Sequence, residues 1–262
     1  MIFENMWALL VVVAISLFGA AEVGYRVGLS LNRTKDDARR SQIGGVQGAV
    51  LGLLGLLIGF TFSMGVSRYE SRRNLVLKEA NAVGTTWLRA GLLPEAHRAP
   101  AKELLRRYVD VRLKYQALGR DAAALSEGLR LSADLQNQLW QGAEAVAAEK
   151  PTPITLSYIN ALNGVIDTDA ERIAAARNQI PGGVWGLLII VAASGCFISG
   201  YGSGAQGARS LFTMAFLPAL ITVVILLVFD LTHSHEGIIG ISQQPLIDLQ
   251  NSMSAATNTA AK

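Results

Sequence analysis

The chain has 262 residues, 51% of them hydrophobic and only 16% charged, with a formal net charge of +3. Soluble domains carry about 25% charged residues, so the composition argues against an ordinary soluble domain and for residence in a bilayer. Cys196 is the only cysteine, which excludes a disulfide framework within one chain and makes a cysteine-based metal cluster implausible. Its apolar surroundings suit a small buried residue.

The first apolar stretch, Trp7 to Tyr25, is interrupted only by Glu22, which has Arg26 one turn later in the favourable acid-then-base order. Gly19-Ala20-Ala21 resembles a secretory cleavage site. The segment before the stretch, however, holds Glu4 and no Lys or Arg, so a retained span is expected. The second stretch, Ser41 to Ser67, carries no charge and exceeds the roughly 20 residues needed to cross the hydrocarbon core. Inside it Gly45, Gly48, Gly52, Gly55 and Gly59 recur at alternating steps of three and four. At about 100° per residue they fall, with Ser41 and Ser63, within a stripe of roughly 80°. Each glycine costs about 1 kcal/mol in a helix relative to alanine, so a seam of them implies that something comes close to this backbone. Three readings are open: packing between two spans of one subunit, close packing between subunits, or a pore-facing stripe. Ile58, Phe60 and Phe62 mark a second candidate side of the same helix.

No helix breaker separates this span from the segment after it. Arg68, Glu70, Arg72 and Arg73 come directly next, then Leu75-Val76-Leu77, Val83 and Trp87 up to Pro94. The pattern predicts one helix of nearly 50 residues, about 70 Å long, with Gly84 and Gly91 as weak points. Further helices are expected over Pro100–Leu118, stopped by Gly119, over Asp121–Glu149, ended by Pro151 and Pro153, and from Thr155 as N-cap toward Ile180. Pro181-Gly182-Gly183 then breaks into a third uncharged span, Gly183 to Ser203, and a fourth runs from Ser210 to Phe229, ending at Asp230. Nothing alternates with a period of two, so a sheet is not expected. The fold class is therefore all-α: a polytopic membrane protein with four transmembrane helices and a helical extramembrane bundle. Its predicted parts are 1–67 with spans one and two, 68–182 outside the membrane, 183–231 with spans three and four, and a C-terminal tail, 232–262.

Four spans place both termini and the helical region on one side and the loops 26–41 and 204–209 on the other. The flanking positive charge is tied: Arg26, Arg33, Lys35, Arg39, Arg40 and Arg209 against Arg68, Arg72, Arg73, Lys78, Arg172 and Arg177. Because Asp36 and Asp37 dilute the first set, a cytoplasmic helical region in the inner, or plasma, membrane is expected. The sequence pI near 9.1 is accounted for by these flanking residues and does not call for nucleic acid.

Groups with recognisable chemistry are few. His233, His235 and Glu236 offer a weak metal set that lacks the further ligands zinc needs. Arg68, Glu70, Arg72 and Arg73 form a charged collar, read either as interfacial ion pairs and headgroup contacts or as an electrostatic ring at a pore vestibule. No phosphate-cradling loop and no Ser-His-Asp set is recognisable, so neither an enzyme nor a cofactor is expected.

Longer strings are more specific. Val46-Gln47-Gly48-Ala49-Val50-Leu51-Gly52 through Gly59-Phe60-Thr61-Phe62-Ser63-Met64, then Arg68-Tyr69-Glu70 and Glu79-Ala80-Asn81-Ala82-Val83-Gly84, resemble the bacterial membrane family labelled bestrophin-like. So do Leu92-Leu93-Pro94, Tyr108-Val109-Asp110-Val111-Arg112, Leu162-Asn163, Ile166-Asp167 and Ser242-Gln243-Gln244-Pro245-Leu246. The resemblance implies an oligomeric anion channel with four membrane helices per subunit, the second lining the pore. The chain departs from the family at Asp230-Leu231-Thr232-His233-Ser234-His235-Glu236, where a basic stretch is expected. Partners implied are the lipid bilayer, further copies of the chain in a homo-oligomer, and inorganic ions. The alternative is a non-conducting scaffold or signalling protein that docks partners through its helical region.

Overall fold

A computed structural model describes residues 6–31, 37–117, 122–207, 209, 212–232 and 239–260. Among these there is no strand; the chain is all-helical, as expected from the absence of period-two patterning. Its elements are α1 (Met6–Ser30), α2 (Asp37–Ala90), α3 (Glu95–Ala117), α4 (Ala122–Glu149), α5 (Pro153–Arg177), α6 (Gly182–Ala205), α7 (Leu217–Thr232) and α8 (Gln244–Ala260). A π-helical turn, Phe212–Phe216, leads into α7. Pro218 follows it closely and has no N–H to donate, a natural place for the hydrogen-bond register to change. The chain divides into two compact units.

The first unit comprises Met1–Arg68 and Gln179–Ile239. Four helical segments are long and apolar enough to cross a bilayer: Leu10–Ser30, Ser41–Ala90, Pro153–Ala205 and Met214–Thr232. The apolar part of the third is α6, since the helix breaks over residues 178–181. Val13, Leu17 and Ala21, one turn apart on α1, share a core with Leu54, with Trp185, Leu188, Ala192 and Cys196 of α6, and with Ile221, Ile225, Val228 and Phe229 of α7. Trp185 meets Phe229 edge-on, ring centroids 5.8 Å apart. On the other side of α1, Trp7, Val11, Ile15 and Val23 are exposed, as lipid-facing side chains are in a subunit taken alone. At the end of the last span Asp230 is buried and accepts the Ile239 N–H at 2.9 Å. Residues 233–238 lie outside the described residues, and with them His233, His235 and Glu236.

The second unit comprises Tyr69–Asn178 and Gly240–Lys262. Val83, Trp87 and Ala90 of α2, Leu105, Tyr108 and Val109 of α3, Leu135, Leu139 and Val146 of α4, and Tyr158, Leu162 and Val165 of α5 form its core. The single long helix expected through Gly84 is present, and the chain turns at Gly91.

Three boundaries differ from expectation. Helix α3 starts at Glu95, not Pro100: the Pro94 carbonyl accepts the N–H groups of His97 and Arg98, both at 3.0 Å, so a turn forms before the proline and Pro100 is carried inside the helix. The N-cap of α5 is Thr152, not Thr155. Its hydroxyl accepts the Thr155 N–H at 3.2 Å, and Pro153 is the first helical residue, where its missing N–H is harmless. The stretch expected to be a C-terminal tail contains α8. Leu246 and Met253 are buried, and Leu249 packs against the unit's core at the same helical spacing.

Candidate functional site

Two sets of glycines in the first unit behave in opposite ways. On α1 and α6, Gly24, Gly28, Gly200 and Gly204 form a reciprocal seam: a Cβ on Gly24 or Gly28 would overlap the carbonyl oxygens of Phe197 or Tyr201, and one on Gly200 or Gly204 those of Ala21 or Tyr25. Each pair is spaced by four, the small-xxx-small pattern that lets two backbones touch in lipid. Sequence reasoning misses this seam because single glycines in an apolar span are common; the available signal is the same spacing in both spans.

The stripe on α2 meets nothing. At Gly45, Gly48, Gly52, Gly55 and Gly59 a Cβ would have no neighbour within 4 Å. The reason lies in the helix's other face. Leu54 and Thr61 are buried, Leu51, Leu57, Ile58 and Met64 pack against the bundle core, and Gly65 approaches the Leu231 side chain at 3.5 Å from its would-be Cβ. Gln47 reaches the Ser199 hydroxyl at 3.4 Å from this same inner face. Among the described residues no second span of the subunit comes within 4 Å of a Cβ at these glycines. Ser63 is exposed in line with them. Phe60, 62% exposed, and Phe62, 40% exposed, flank the stripe on its two sides, about 160° apart, whereas Ile58, one turn before Phe62, packs against the bundle core.

The charged collar separates as well. Glu70 and Arg73 are exposed, Arg68 is half-buried, and Arg72 is buried in the second unit. Helical register explains it: Arg72 lies about 160° from Glu70 and about 100° from Arg73 and falls on the inner face of α2, in line with Val76 and Glu79.

Around Glu79 the second unit holds a buried ion network. The wholly buried Glu79 carboxylate accepts the Tyr108 hydroxyl at 2.7 Å through Oε1, which also forms an ion pair with Arg112 Nε at 2.9 Å, and pairs with Arg172 through Oε2. Arg112 Nη1 continues to Asp169 at 2.9 Å, and Gln136 donates to the other Asp169 oxygen at 2.9 Å. The four ionised groups Glu79, Arg112, Asp169 and Arg172 sum to zero, and with Gln136 they come from α2, α3, α4 and α5, so the network ties four helices together. Burial pushes the Tyr108 phenol well above its usual range, leaving it a neutral donor. Burial also lowers the Arg172 guanidinium to about 10, still charged at neutral pH. Glu79, Tyr108 and Arg112 lie in strings that carry the family resemblance; Asp169 and Arg172 do not, and their signal in the sequence is charge on an otherwise apolar face of α5. Among the described residues no group of three or more His, Cys, Asp or Glu is placed to hold a metal ion.

A profile described as the Bestrophin-like domain matches residues 14–246. Solved structures share the fold over nearly the whole chain. A bacterial bestrophin homologue from Klebsiella pneumoniae, a point variant, is 16% identical with a TM-score of 0.55, covering 93% of this chain and 94% of its own. A membrane protein, also a point variant, is 14% identical with a TM-score of 0.59 and covers 95% and 96%. Comparison with curated proteins gave no match.

Proposed function

Since the chain belongs to the bestrophin-like family, we propose that it is an ion-channel subunit that assembles with further copies of itself and lines the permeation path with α2. The observation that carries this reading is the open glycine face. Among the described residues a Cβ on any of these five glycines of one membrane helix would meet nothing within 4 Å, which favours an occupant from outside the subunit for their small profile. A ring of subunits supplies that occupant, as ions and water along an axis or as the edge of the next α2. Ser63 lies on the same line, and Phe60 and Phe62 beside it offer rings large enough for hydrophobic constriction. Of the collar, Glu70 and Arg73 are assigned to face permeating ions, because Arg72 is directed into its own unit.

The test is ion flux from liposomes carrying the purified protein. Flux is expected, with Arg73→Gln lowering anion preference and Glu70→Gln raising it, both more strongly at low salt because screening at about 0.15 M reaches only about 8 Å. Gly52→Leu and Gly55→Leu should disrupt the assembly or block the path. Absence of flux in graded salt, across pH and divalent ions, would replace this reading with the non-conducting scaffold.

We further propose residence in the inner membrane with the second unit cytoplasmic. Cysteine labels at Asp37 and Gln206 should then react from the side opposite to a label at Ala123, and Cys196, being buried, gives little background. Gln206 suits the label where the neighbouring Gly204, closed against the Tyr25 backbone, does not. Labelling of Asp37 and Ala123 from one side would show that the second span does not cross.

A further inference from the structure

Glu22 sits inside the first apolar span, where an ionisable side chain needs a reason. Both its oxygens are engaged: Oε1 accepts Arg26 Nε at 2.8 Å and Oε2 accepts Arg209 Nη2 at 3.2 Å. Two guanidinium groups therefore converge on one carboxylate, leaving a local charge of +1. Each guanidinium has five N–H donors in a planar fork, and the side chains remain 76% and 63% exposed.

Their positions are built, not incidental. The Gly24 and Gly28 seam clamps the Arg26 turn of α1 to α6. After α6, Gly207 takes a left-handed conformation, φ 68°, which turns the chain so that Arg209 lies over the Tyr25 ring at 5.6 Å. Tyrosine at the end of a span marks the headgroup level. About one and two turns before Arg26 on α1, Val23 and Phe18 are exposed and apolar.

We propose that Arg26 and Arg209 form a binding site for the phosphate of an anionic phospholipid whose acyl chains lie along the exposed Phe18 and Val23 face of α1. The paired forks match a phosphate's oxygens, and the apolar face supplies what a free anion would not use. The residual positive charge selects a headgroup with no ammonium of its own, such as phosphatidylglycerol, over phosphatidylcholine.

The experiment titrates the purified full-length chain in detergent with phosphatidylglycerol or phosphatidylcholine of the same acyl chains and follows bound lipid by native mass spectrometry, with thermal unfolding in parallel. Wild type is expected to prefer phosphatidylglycerol. Arg26→Gln and Arg209→Gln should each weaken that binding about fivefold, the factor corresponding to roughly 1 kcal/mol per basic residue near an anionic surface. Glu22→Gln should strengthen it by a similar factor, because both guanidinium groups are then uncompensated; a general loss of fold cannot produce that gain. Equal binding of the two lipids, arginine variants that bind as wild type does, or displacement of the lipid by millimolar inorganic phosphate would each overturn the assignment, the last by revealing a free-anion site.

Discussion

Adding one methyl group at Gly200 and at Gly52 should have opposite consequences. At Gly200 the new Cβ would overlap the Ala21 carbonyl oxygen and come within 2.9 Å of its carbon and 3.0 Å of the Tyr25 nitrogen. All three are backbone atoms, so no side chain can rotate away and α1 and α6 must part locally until the contact reaches an ordinary distance. Overpacking of this kind costs about 1–3 kcal/mol, against which alanine returns at most about 1 kcal/mol of helix propensity. Because every clash is with backbone, the upper end of that cost applies, and the net loss is about 2 kcal/mol, or a fall of about 4–8 °C in unfolding midpoint for a chain of this length. At Gly52 nothing lies within 4 Å, and an isolated subunit should gain up to about 1 kcal/mol. Purified variants would be compared by thermal unfolding followed through tryptophan fluorescence, Trp185 being buried in the bundle core, alongside size-exclusion chromatography. If an assembly brings a neighbour onto the stripe, Gly52→Ala should lower the midpoint and the apparent mass together. An unchanged midpoint for Gly200→Ala, or equal losses for both variants in a protein that runs as a monomer, would refute the distinction between the two glycine sets.

Glu79→Gln should cost about 3–5 kcal/mol, since it leaves Arg112 and Arg172 buried against a neutral amide; Glu103→Gln, which removes only an exposed pair with Arg106, should cost less than about 1 kcal/mol. Chemical unfolding followed by circular dichroism checks both, and similar costs would show that the network is not the second unit's anchor. Acid should destabilise the chain through the carboxylates of Glu103, Glu127 and Glu149, which hydrogen bonds from Arg106, Arg130 and His97 hold below the ordinary 4.5. A carboxylate whose folded value is depressed adds stability above its unfolded value and loses it as pH falls through the folded one. The unfolding midpoint should therefore drop as pH falls from about 5.5 to about 3, the span around and below the unfolded carboxylate value, and a rise would contradict the pairing.

Helix type, the four apolar segments and the length of α2 are legible in the sequence because they rest on hydropathy and on the absence of breakers, which act locally. The ends of α3 and α5 are not, because proline is ambiguous in sequence: Pro153 reads as terminating the helix before it, yet it opens the helix after it, and only the Thr152 hydroxyl on the Thr155 N–H decides between them. Helix α8 escapes sequence reasoning because its apolar positions, Leu246, Leu249 and Met253, are few and come after a polar stretch; burial against the second unit's core, not propensity, orders them. The collar is hidden for a different reason. Arg68, Glu70, Arg72 and Arg73 are close in sequence, but a helix rotates about 100° per residue, so adjacency disperses them around the axis. Spacing by three and four gathers residues onto one face, which is why the glycine stripe is visible in the sequence and the separate fate of Arg72 is not.

The length of the stripe restricts its occupant more than its openness does. On α1 and α6 the backbone contact uses two glycines from each helix, Gly24 and Gly28 against Gly200 and Gly204, although the two helices pack together over several turns. Gly59 lies 14 residues after Gly45, about 21 Å along the helix, most of a hydrocarbon core about 30 Å thick. That is longer than the one turn over which the α1 and α6 glycines meet. An occupant that runs along α2 for several turns would match it: a water-filled path, or the near-parallel edge of the same helix in a second copy. The ring of subunits proposed above would provide both, and would account for glycines that recur at steps of three and four through the span and do not cluster at one depth.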